Sequence, residues 1–152
     1  MSEDNLSANI SYRFSKITTQ QFAIIEDVYN SEDEVNVKWN LGFNCLDGTF
    51  IVNGTTRFEF LTNQNTPFII VEVKCDFDII TPDPDMVKNN TIVKLPKVFG
   101  INLLSIMIGV TRGIMHAKTE NTIFNKYIVP LIKLEEFVTD DISLIEMSNP
   151  LK

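Results

Sequence analysis

His116 is the only histidine in the chain, so any Ser/His/Asp or Cys/His arrangement must take its base from that position. Arg112 and Glu120 stand one helical turn to either side of it, and the three together could orient an anion or relay a proton. A polar stripe on a half-exposed helix places the same residue types at the same spacing, so the trio does not single out catalysis. Carboxylates concentrate at Asp76, Asp78, Asp83 and Asp85, and hard cations need several oxygens. The cluster lacks the glycine and the closing glutamate of a calcium loop. Asp76 and Asp78 share the solvent side of a strand pattern, while the Asp-Pro-Asp corner explains Asp83 and Asp85 as turn formers. No metal and no cofactor are expected: there is no GxxxxGK(S/T), no GxGxxG, no zinc spacing and no nucleophile elbow. Cys45 and Cys75 lie inside strand-like runs without CxxC spacing and read as buried, reduced thiols.

The elements that must position these residues show in the hydrophobic periodicity. From Val35 to Cys45 every odd position is apolar and every even one polar or glycine, the period of a half-buried strand. Leu46-Asp47-Gly48 signals a tight turn into a second alternating run that carries Phe50, Val52, Phe58 and Phe60. A third runs through Ile69, Val71, Val73, Cys75, Phe77 and Ile79, and Pro82 and Pro84 end the sheet because each lacks a donor. Upstream, Ile10, Tyr12 and Phe14 alternate, as do Phe22 and Ile24, so a further strand is expected, broken near Thr18-Thr19. The sheet thus spans residues 10–80, after residues 1–9 that read as disordered.

Beyond Pro96 the period changes. Apolar residues at 103, 104, 107, 108, 110, 114 and 115 define a long helix over 96–119, with Asn102, Ser105, Gly109, Arg112 and His116 on the other side. Ser105, Gly109 and Gly113, four apart, form a small-residue stripe that lets another backbone come close, either the sheet or a second subunit. The apolar run Val98–Val110 is short for a membrane span. Pro130 to Leu134 reads as a short extended piece, and Thr139 is placed to N-cap a short C-terminal helix over 139–148, with Asp140 and Asp141 at its positive end. The expected fold is a single α+β domain: a four-stranded antiparallel meander backed by one long helix and a short terminal one.

At 152 residues and 44% hydrophobic the chain holds one core. A net charge of −7 argues against a nucleic-acid or anionic-membrane footprint, although residues 86–134 hold seven bases and one acid. The acidic start Met1-Ser2-Glu3-Asp4 is unlike a secretory n-region, so a cytoplasmic location is expected. Eleven Phe, three Tyr and one Trp exceed what a small sheet and one helix cover. Trp39, Phe43, Phe99, Leu131, Ile132 and Phe137 are the candidates for an apolar groove or interface.

In layout the chain resembles the SecB chaperone family over roughly residues 10–147. The family's Leu-Cys-Glu-Val before Phe-x-Ile is similar to Ile70-Val71-Glu72-Val73 followed by Phe77-Asp78-Ile79. Its helix start Pro-Asn-Ile-Leu-Phe is similar to Pro96-Lys97-Val98-Phe99-Gly100, and its Leu-x-Pro-Val-Asn-Phe-x-x-Leu-Phe to Val129-Pro130-Leu131 running on to Phe137. The resemblance implies a cytoplasmic holdase, a dimer or tetramer, that binds unfolded polypeptide in apolar grooves, in protein export or a toxin–antitoxin system. Of the acids with which the family contacts the SecA motor, only Glu72 is matched; Lys16 and Gln20 stand where the others would be, so delivery to that motor is not implied. Two other readings stay open on the residues alone: a non-enzymatic adaptor dedicated to one protein partner, and a small enzyme using Arg112, His116 and Glu120.

Overall fold

A computed structural model describes residues 10–144. Four long antiparallel strands form one sheet: β1 (Ser11–Ile24), β2 (Asn36–Cys45), β3 (Ile51–Leu61) and β4 (Pro67–Thr81), in the order β1-β4-β3-β2. β2, β3 and β4 are the three runs of strict period two, joined by short turns. The first of these turns places Gly48 at φ 72°, the left-handed region that favours glycine. β1 instead pairs with β4, and the loop from β1 crosses to the opposite edge of the sheet through the turn Glu26–Val28. β1 and β2 are therefore the two edge strands.

The alternation sets two faces. On the inner one, Val52, Phe58 and Phe60 of β3 and Ile69, Val71, Val73, Cys75 and Phe77 of β4 are almost wholly buried. The long helix α1 (Lys97–Thr119) covers them with Leu103, Leu104, Met107, Ile108 and Met115. Gly54 is the notch for this crossing, since a Cβ there would collide with the Sδ of Met107. By length and composition α1 could cross a membrane, but here its apolar side lies on the sheet. Among the described residues the outer face carries no second layer and is a grid of opposite charges. Glu59, Glu72, Asp76 and Asp78 alternate across the strands with Arg13, Lys16, Lys38, Arg57 and Lys74. Arg57 bridges Glu72 at 3.3 Å and Arg13 bridges Asp78 at 2.7 Å.

After β4 come the small strands β5 (Val87–Lys88), β6 (Thr91–Ile92) and β7 (Lys94–Leu95), and beyond α1 a single helical turn α2 (Leu134–Phe137) and a last strand β8 (Ile142–Ser143). This end of the chain corrects the expected terminal helix. Thr139 is exposed and caps nothing, and Ile142–Ser143 pairs as a strand with Lys94–Leu95. The remainder of that helix, 145–148, lies outside the described residues, as do residues 1–9. The short helix of the fold is α2, one turn earlier in the chain. The physical reason sits at the start of α1, where Pro96 offers no side-chain acceptor for the orphan N–H groups. Asp141 supplies one: its Oδ1 accepts from Lys97 N–H at 2.9 Å. The acid caps a helix, as its type suggests, but a helix 44 residues away.

Candidate functional site

The six apolar candidates divide into two groups. Phe43 and Phe99 are core, 8% and 1% exposed. Phe43 stands opposite Gly54 on the inner face, and Phe99 packs edge to face on Tyr12 with ring centroids 5.2 Å apart. Both are buried, Phe43 because α1 covers the inner face of the sheet and Phe99 because it lies on the buried side of α1 itself. Trp39, Leu131, Ile132 and Phe137 come together instead. With Lys133 and Glu136 they line an open depression of about 560 Å³ on the helix side of β2. Leu131 is 90% exposed and Phe137 50%. Trp39 and Phe137 meet edge to face at 4.9 Å, a geometry worth about 0.5–1.5 kcal/mol beyond area. Phe137 also borders a second cleft of about 340 Å³, lined by Leu41, Gly42, Leu104 and residues 138–142 and mixed in polarity through Thr139, Asp140 and Asp141.

Arg112 fastens the segment that leads into the depression. Its Nε donates to the Val129 carbonyl and a terminal nitrogen to the Pro130 carbonyl, each at 3.0 Å. Val129 is buried while Leu131 projects outward, so the guanidinium fastens the segment that presents Leu131. Upstream of it, Tyr127 shares a hydroxyl–hydroxyl bond of 2.9 Å with Tyr29 of the β1–β2 crossover. Burial, reinforced by that bond, pushes the Tyr127 phenol up to about 12. Sequence reasoning placed Arg112 with catalysis and missed this role, as it missed Leu41, Gly42 and Leu104; no local signal marks a side chain that bonds carbonyls 17 and 18 residues away.

Of the other candidates, Arg112 and His116 line one depression of about 380 Å³ on α1 with Gly109, Gly113, Tyr127 and Ile128, and the carboxylates lie apart from it. With Arg112 held by carbonyls, His116 is left on the surface. Its Nε2 lies 3.5 Å from Glu120, and its backbone carbonyl accepts from the Asn125 amide. Asp76 and Asp78 lie in the outer charge grid, Asp83 accepts from the Asp85 N–H in its own turn, and Asp85 is exposed. Among the described residues no group of three or more His, Cys, Asp and Glu side chains could hold a metal ion. Cys45 and Cys75 are free and buried, and desolvation pushes the Cys75 thiol up to about 11. Glu72 is paired with Arg57 within a face of mixed charge. Ser105, Gly109 and Gly113 are exposed along α1, and among the described residues nothing lies within 4 Å of where a Cβ on either glycine would sit. The stripe does not face the sheet.

No protein-family model, curated protein or solved structure matches the chain.

Proposed function

We propose that the chain is a non-enzymatic, SecB-like holdase that binds unfolded or partly folded polypeptide through the apolar depression beside β2. The observation that carries the reading is the gathering of Trp39, Leu131, Ile132 and Phe137 around one open depression, with Leu131 almost wholly in solvent. An apolar side chain held out on a fastened segment gains nothing for the fold and is available to a partner. Client binding then follows from area: burying roughly 100 Å² of apolar surface is worth about 2.5 kcal/mol, with little dependence on sequence. The net charge of −7 keeps such a surface soluble. Self-association as a dimer or tetramer belongs to this reading, and light-scattering mass checks it.

The test is aggregation of a chemically denatured enzyme followed by turbidity. Suppression is expected near one chaperone per client, and no suppression at about tenfold excess overturns the reading.

A further inference from the structure

We infer that the depression on α1 between Arg112 and Tyr127 binds a small aromatic carboxylate. Its acid group meets the N–H groups of Arg112 that the backbone leaves free, and its ring lies on the bared helix at Gly109 and Gly113. The site is distinct from the client surface and shares no lining residue with the Trp39–Phe137 depression.

Two observations carry it. The first is an uncompensated charge. Nε and one terminal nitrogen of Arg112 donate to the Val129 and Pro130 carbonyls, which fixes the plane of the guanidinium. Three of its five N–H groups are left without a partner among the described residues. Carbonyls supply dipoles but no negative charge, and among the described residues no carboxylate pairs with this half-buried side chain. A cation drawn partly out of water and held in one orientation favours an anion, and its planar fork matches the two oxygens of a carboxylate. The surroundings add to the attraction. Lys126 lies over the Tyr127 ring, 5.3 Å from its centroid. Glu120 is the only acid in residues 86–134, and it stands 3.5 Å from His116.

The second observation is shape. At about 380 Å³ the depression lies near the small end of ligand pockets. Gly109 and Gly113 both line it, and each has open space where a Cβ would sit, so backbone forms a flat floor that a ligand can approach closely. One wall is the ring of Tyr127, whose hydroxyl is engaged by Tyr29; the other is Ile128, 63% exposed. A flat ring covers such a floor with its face and meets an aromatic wall with its edge.

The test uses the full chain and three probes: naphthoate, its uncharged amide, and acetate. Naphthoate should bind saturably, shifting backbone amide signals of residues 109–116 and 127–128 in NMR spectra, and the amide and acetate should each bind at least tenfold more weakly. Gly109→Leu fills the floor from the solvent side and should weaken naphthoate at least tenfold with the circular dichroism spectrum unchanged. Ser105→Leu, one turn earlier and outside the depression, should leave binding within twofold. No saturable binding, equal binding of naphthoate and its amide, or shifts confined to other residues overturns the inference, whatever the variants do. If naphthoate fails to bind and Gly109→Leu lowers the light-scattering mass, the face belongs to a second copy of the chain and the ligand site falls.

Discussion

The two edges of the sheet are built differently. β1 is the longer, at 14 residues against 10, yet it shifts register three times against its only neighbour; β2 follows β3 residue for residue. Their flanks differ too. Beside β1 the inner-face residue Ile17 is half exposed, with the chain's own Arg13 and Ser15 tied down to Asp78 on the outer face. Beside β2 a fastened segment and one helical turn raise Leu131 and Phe137 into an apolar wall. One edge is blunted by irregularity and the other is straight and walled.

The sharpest way to break this comparison is to remove the wall. Trp39→Ala combined with Phe137→Ala should reduce client protection about tenfold, measured by turbidity, because aromatic anchors dominate such surfaces. Undiminished protection would move the working surface elsewhere. Next in size is Gly109→Ala on the bare side of α1. It should raise stability by about 0.5–1 kcal/mol in denaturant melts, since glycine is a poor helix former and the added methyl meets open space. A fall in stability together with a loss of oligomer mass would instead give that face a partner. At the blunted edge, Ile17→Lys should change stability by about 0.5 kcal/mol or less and leave client protection intact. The smallest effect is at Asp78. The hydrogen bond from Arg13 holds its carboxyl below the usual carboxylate range, with the Ser15 hydroxyl assisting against some desolvation. A lowered folded value means that this contribution to stability is complete above about pH 3.9 and is lost as pH falls through the folded midpoint. An NMR titration should show a depressed midpoint that Arg13→Ala restores.

The strands β2 to β4 could be read from the sequence because each is half buried and obeys its period without interruption. β1 was harder for a physical reason. Its register shifts after Phe14 and Thr19 move the inner face from Phe14 to Ile17 and then to Phe22, so its alternation looks like two broken pieces. That β2 lies at an edge is decided by β1 joining β4, a pairing between distant segments that no local pattern encodes. β8 was illegible for the same reason: two residues become a strand only because Lys94–Leu95 lies beside them. Of the candidate site, Trp39, Leu131, Ile132 and Phe137 stood out as more apolar surface than the elements could cover. Phe43 and Phe99 look identical to them in sequence and are told apart only by their burial in the folded chain.

The placement of β1 also bears on how the chain is made. Among the described residues its only neighbour is β4, and Arg13 meets Asp78 across 65 residues. Such long-range closure slows folding. During synthesis, a nascent chain that has emerged through β3 holds a hairpin and a first strand with nothing to pair against. The fourth strand, once released from the ribosome, has β1 to accept on one side and β3 on the other, so the sheet closes in a single late event. Until then this protein is itself a chain with an uncovered apolar strand.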